Sequence, residues 1–138
     1  MAVFTTKRYK DKEPPANVWL GTSTENQDAF NERWPHLLKV RTAVRWLSME
    51  PLLGPVKLKD ADQLDWAVVG GESGSKRAMK EAWATSLRDQ CKKAKVAFYF
   101  KQWNDYGDDG EKRAKPKKDS LTPPPLGGVV HDPYPVQA

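Results

Sequence analysis

The sequence predicts an α/β fold, a mostly parallel four-stranded sheet with crossover helices. Three observations predict it. Four short apolar runs rich in β-branched and aromatic residues end near Ser23, Met49, Val69 and Phe100. Two stretches of helical periodicity, 24–38 and about 80–94, separate the first pair and the last pair. The resulting order is strand–helix–strand–loop–strand–helix–strand, which right-handed crossovers convert into neighbouring parallel strands. At 138 residues the chain has the length of one ordinary domain.

Each element has a local justification. Residues 1–16 read as an N-terminal arm, short of apolar periodicity and ending in Glu13-Pro14-Pro15. Residues 17–103 read as the α/β domain. Val18–Ser23 is its first strand. Thr24 followed by Gln27 has the spacing of a capping box, and Phe30, Trp34, Leu37 and Leu38 then recur on one helical face. Pro35 inside that face is expected to kink the helix or to begin a second turn. Ala43–Met49 is the second strand, closed by Glu50-Pro51, and Leu52–Val56 reads as a loop with a short extended piece. Leu64–Val69 is almost continuously apolar, the pattern of a parallel strand buried on both faces, and stops at Gly70-Gly71. In the second helix Trp83, Leu87, Cys91 and Ala94 share one side, with Arg88, Lys92, Lys93 and Lys95 mostly away from it. Val96–Phe100 is the fourth strand. Residues 104–138 read as a Pro/Gly-rich, charged tail in which Val129-Val130 and Tyr134 are placed to dock back as a short extended piece.

Composition removes several classes of function. A single cysteine, Cys91, excludes an intrachain disulfide framework and any multi-cysteine metal or iron–sulfur site built from this chain alone. Its place on an apolar helical stripe is that of a buried, inert thiol. No run of about 18 apolar residues and no signal-like N-terminus is present, so no membrane partner is expected and the expected location is the cytoplasm. Lys and Arg number 23 against 18 Asp and Glu, a net charge of +5, which suits an anionic partner such as nucleic acid. Arg88, Lys92, Lys93 and Lys95 are the candidate partner or nucleic-acid surface; the plain alternative is a solvated helix face. His36 and His131 lack ligand spacing, and Ser48, Ser73 and Ser86 have no histidine near them in sequence. No catalytic residue and no metal ligand is assigned.

The residues just past each strand are more informative. The first strand leads into Glu25 and Asn26, the second into Glu50, the third into Gly71-Glu72-Ser73-Gly74, and the fourth ends in Lys101-Gln102. In parallel α/β folds the carboxyl ends of the strands share one rim, where ligands bind. Glu25, Asn26, Glu50, Glu72, Lys101 and Gln102 are therefore candidate ligand-binding residues. A carboxylate in the first turn of a helix also has a purely structural use, which suits Glu25. The glycine run after the third strand matches neither the dinucleotide fingerprint nor the P-loop.

Four motifs in order carry a family resemblance: Asn17–Asn26 (NVWLGTSTEN), Arg45–Pro55 (RWLSMEPLLGP), Trp66–Gly74 (WAVVGGESG), and Ser86–Cys91 (SLRDQC) through Phe100–Trp103 (FKQW). They resemble the C-terminal half of a phage-associated family described as radical-SAM-like, three-cysteine proteins. The resemblance implies half of a partial TIM-type barrel. In full-length relatives the other half carries the cysteines that hold an iron–sulfur cluster and S-adenosylmethionine. Neither cofactor is expected in this chain alone, and Met49 stands where relatives often show a cysteine before Glu-Pro. Half a barrel exposes a sheet edge and apolar surface, so self-association or a protein partner is expected there. The implied function is a non-catalytic phage-type protein that binds a host macromolecule, for example as an inhibitor of a bacterial defence system. One alternative is a ligand-binding or enzymatic fragment that completes a radical-SAM-like site with a second chain through Glu50, Glu72 and Lys101. Another is nucleic-acid binding through the basic surface.

Overall fold

In a computed structural model of the chain, the four β-rich runs form β1 (Trp19–Ser23), β2 (Val44–Met49), β3 (Trp66–Gly70) and β4 (Ala97–Gln102). Helix α1 (Gln27–Leu38) joins β1 to β2, and α2 (Glu81–Ala94) joins β3 to β4. A 3-10 turn, Ala61–Gln63, lies between β2 and β3. The structure describes residues 12–74, 77–107, 109–113, 124–131 and 133–135; most of the predicted arm lies outside them. The fold class is as the sequence predicts. All three strand pairs are parallel, in the order β1-β2-β3-β4, so each strand is added beside the previous one and the order never reverses.

Strand alternation sorts side chains between the two faces of this sheet. Leu47, Met49, Ala67, Val69, Phe98 and Phe100 point to the helix side, where they pack with Phe30, Trp34 and Leu37 of α1 and Ala84, Leu87 and Cys91 of α2. The same core takes in Leu126, a fully buried residue from the segment read as a tail. Leu126 and Val129 exchange backbone hydrogen bonds across a tight turn, with both Gly127 and Gly128 at positive φ (58° and 77°). Tight turns of this kind demand such φ values, and glycine supplies them without a Cβ clash.

One local expectation is corrected. The cap of α1 is Asn26, whose side-chain oxygen accepts from the Ala29 N–H at 2.9 Å. Thr24 continues the sheet instead, donating its N–H to the Ser48 carbonyl at 2.9 Å, and is wholly buried. Gln27 turns away from the cap to exchange two hydrogen bonds with the backbone of Lys57. At Pro35, α1 runs unbroken to Leu38. The proline forfeits one backbone bond near the helix end, and Trp34 and Leu37 beside it are locked into the core.

Arg45 ties the lower edge of the sheet together. Its guanidinium donates to the carbonyls of Leu37 (3.3 Å), Val40 (2.8 Å) and Gln63 (3.0 Å), while its own N–H donates to the Asp65 carboxylate at 2.8 Å. Burial lowers its pKa from the ordinary arginine value, and the charge of Asp65 works against that shift.

Candidate functional site

The second face of the sheet has a different composition. The register aligns Gly21, Trp46, Trp66 and Ala97 in one row and Ser23, Ser48, Val68 and Tyr99 in the next, toward the carboxyl ends. Beyond that row come Glu50 and Lys101. Trp19, Trp46, Trp66 and Tyr99 are half-buried and stand outside the helix-side core. Both helices pack on the other face, so among the described residues no helix covers this one.

Trp66 is the hub of an aromatic cluster. Its ring lies 6.0 Å from Trp19, 5.7 Å from Trp46 and 6.1 Å from Tyr99, with edge-to-face or tilted geometry. Such arrangements bring the positive edge of one ring toward the negative face of another. Gly21 makes room for the cluster, since a Cβ there would come within 2.5 Å of the Trp46 indole. From the C-terminal segment, the Tyr134 ring lies tilted 5.0 Å from Trp66, and the Trp66 indole N–H donates to the Pro133 carbonyl at 3.1 Å.

The rim predicted from the strand ends is divided. Lys101 reaches over β3 to Glu50, Nζ to Oε2 at 3.0 Å, so this pair sits together at the carboxyl end of the aromatic face. Of the other candidates, Glu25, Asn26 and Glu72 have partners within their own segments, and Gln102 is bonded to the loop after β3. Glu25 pairs with Arg33 at 3.1 Å, and Asn26 caps α1. Glu72 forms a bidentate pair with Arg77. Gln102 donates to the Gly71 carbonyl at 2.8 Å and to Ser73 Oγ at 2.7 Å. The glycine run is also explained by packing. Gly71 donates its N–H to the Gln102 carbonyl, and a Cβ on it would overlap the Asn104 side chain.

Asn104 carries no signal in the sequence, yet it organises this loop. It is buried; its Oδ1 accepts from the Met79 N–H at 2.8 Å, and its Nδ2 donates to the carbonyls of Glu72 and Arg77. Beside it, Trp103 is packed between Phe100 and the Arg113 guanidinium, and its indole N–H donates to the Pro125 carbonyl at 3.0 Å. On α2, Arg88 pairs with Asp89 and lies against Gly127. Lys92, Lys93 and Lys95 are exposed; Lys92 and Lys93 occupy the last turn, where positive charge complements the helix dipole.

A family model matches residues 1–135. The chain belongs to that family, described as protein of unknown function (DUF5131). No curated protein and no solved structure matches the chain. The one cysteine, Cys91, is wholly buried in the helix-side core, where burial pushes its thiol up to about 12. Among the described residues no group of three or more His, Cys, Asp and Glu gathers as a metal site, and no helix is long and apolar enough to cross a membrane.

Proposed function

We propose that this chain is a non-catalytic interaction protein that binds a macromolecule, a protein in the first instance, through the aromatic face of its sheet. The observation that carries the reading is that face itself, with Trp19, Trp46, Trp66 and Tyr99 half-buried and no described helix over them. Contiguous aromatic surface of this kind is where association energy concentrates, because large rings lose little conformational freedom and bury much area. The rim adds to the argument. Glu25, Asn26, Glu72 and Gln102 are engaged in caps, ion pairs and loop bonds, which favours a binding role over a catalytic one. The unreversed strand order supports the resemblance to half of a radical-SAM-like barrel, in which this face would line the interior. A phage setting with a host target, such as a defence factor, rests on that resemblance.

A second reading is favoured by the Glu50–Lys101 pair at the edge of the same face, namely a polar-ligand site completed by a second chain. One experiment separates the readings. The tagged chain is incubated with bacterial lysate and washed at low and at high salt, alongside Ser48→Arg, Glu50→Gln and a Lys92→Ala/Lys93→Ala double variant. Ser48 lies mid-face, so arginine there obstructs the aromatic surface without touching the core. The expected result is a protein retained at high salt by the wild type and the lysine variant and lost with Ser48→Arg. Equal retention by Ser48→Arg overturns the proposal. Nucleic acid that leaves with rising salt and needs the two lysines supports the nucleic-acid alternative. Loss with Glu50→Gln alone supports the shared-ligand reading.

A further inference from the structure

The chain binds its own prolines twice in the same way. Trp103 donates its indole N–H to the carbonyl of Pro125 (3.0 Å), and Trp66 donates its indole N–H to the carbonyl of Pro133 (3.1 Å). An indole N–H is a donor with no acceptor capacity, and a proline residue offers a carbonyl with no competing N–H. Proline also fixes its own φ, so an extended proline-rich segment reaches an aromatic groove having lost little entropy. Tyr134, flanked by Pro133 and Pro135, completes the second contact by packing in tilted geometry 5.0 Å from Trp66 and 5.9 Å from Tyr99.

The two contacts differ in how firmly they are held. Pro125 adjoins Leu126, which is locked in the core. After Leu126 come Gly127 and Gly128, both at positive φ, and beyond them Val129, Val130, Pro133 and Tyr134 are all exposed, Tyr134 at 62%. Among the described residues, the segment past this glycine joint is fastened by the Trp66 bond, by the Phe100 N–H to the His131 carbonyl at 2.8 Å, by the Leu126–Val129 backbone bonds at the turn itself, and by ring contacts. Segments with few buried contacts open at low free-energy cost.

We propose that the Trp66–Tyr99 patch is a docking groove for an extended proline–aromatic–proline segment of a partner protein, and that the chain's own Pro133–Pro135 occupies it in cis. The proposal rests on the reading of the aromatic face as the working surface and names the chemistry of the partner. A segment tethered beside its groove has an effective concentration of about millimolar, so the strap of a second copy at ordinary concentration does not displace it. A partner segment displaces it by making contacts that the strap does not. Among the described residues Tyr134 makes ring contacts with Trp66 and Tyr99 but not with Trp46 or Trp19, which continue the face toward β1. The partner segment therefore runs on across those two rings.

The test uses the full chain and, as probe, a synthetic peptide with the sequence of residues 129–138. Binding is measured by calorimetry for the wild type, for Tyr134→Ala, and for Tyr134→Ala combined with Trp66→Phe. Tyr134→Ala releases the groove and is expected to bind the peptide about tenfold or more tightly than the wild type, because a larger fraction of molecules is competent. Trp66→Phe keeps a ring and removes the N–H, and is expected to weaken that binding about tenfold. Far-UV circular dichroism and the urea midpoint of each variant report that it is folded. A folded Tyr134→Ala chain that binds no better than the wild type overturns the proposal, as does an unaltered affinity after Trp66→Phe. Dimers of the wild type at micromolar concentration in sedimentation, abolished by Tyr134→Ala, would make a second copy the occupant and overturn the partner assignment. If the peptide fails while Ser48→Arg still abolishes capture of a protein, the groove falls and the reading of the face stands. If Ser48→Arg leaves capture intact, the reading of the face falls as well.

Discussion

Replacing Gly21 by alanine tests whether the aromatic face is built as described. A Cβ at Gly21 would stand 2.5 Å from Cε2, 2.6 Å from Nε1 and 2.7 Å from Cδ2 of Trp46. Carbon atoms in comfortable contact are about 3.5–4.0 Å apart, so the overlap is about 1 Å. Trp46 is a rigid ring already packed on Trp66, and moving it disturbs the cluster around that hub. Overpacking of this size costs about 1–3 kcal/mol. Freed of the ring, the same substitution would stabilise by about 0.5–1 kcal/mol, because glycine in a strand interior loses more backbone freedom on folding than alanine does. The sign of Gly21→Ala should therefore depend on Trp46. In the wild-type background it destabilises by about 2 kcal/mol; in a Trp46→Ala background it is neutral or stabilising; the coupling is about 2 kcal/mol. Urea unfolding followed by far-UV circular dichroism measures all four corners of the cycle, and a change of this size moves the midpoint by about 1 M. A neutral Gly21→Ala in the wild-type background, or an additive cycle, would refute the placement of Trp46 over β1.

The packing sets three further outcomes. Arg45→Ala should destabilise by about 2–3 kcal/mol in urea unfolding, since it strips a charged donor from three carbonyls at the base of the sheet. Asn104→Ala should cost about 1–3 kcal/mol by leaving the buried Met79 N–H without its acceptor, and should raise amide exchange at Met79 above that of the β3 core. Cys91 should resist a thiol reagent at pH 8 in the native protein and react fully in urea. Its folded pKa, raised from 9.0 to about 12, means the unfolded chain releases the proton first. Its contribution is therefore fully present below about pH 9 and declines as pH rises toward 12, which a urea midpoint series across that range would track.

Much of this architecture is legible in the residues. The four strands, both helices and the parallel order come from apolar runs alternating with helical periodicity, a signal that needs only neighbours in sequence. Local pattern misplaces the cap of α1 by two residues because Thr24 and Asn26 both carry the right chemistry. Which of them lies at the turn is decided by the Thr24–Ser48 sheet bond, a partner from another strand. At the rim, Glu50 and Lys101 are brought together by topology, as expected from parallel strands, whereas Glu25 and Glu72 find arginines a few residues away. The aromatic face is the larger omission. Its signal is present in Trp19, Trp46 and Trp66, each among smaller or polar residues that share its side of the strand. Recognising it requires the register, which sets those tryptophans side by side. Leu126 and Asn104 carry no periodic signal at all; their burial depends on distant loops that no local pattern specifies.

The order β1-β2-β3-β4 also governs how the chain can be assembled in time. Each strand pairs with the one made immediately before it, so the sheet can grow in the direction of synthesis without waiting for a later element to be inserted between existing ones. At every stage the newest strand presents a fresh outer edge, and the oldest edge, β1, is passed by. Among the described strands the outermost edge on that side belongs to β4, where the Phe100 N–H meets the His131 carbonyl. Until the segment around His131 arrives, the β4 edge of a nascent chain is open to pairing with another chain.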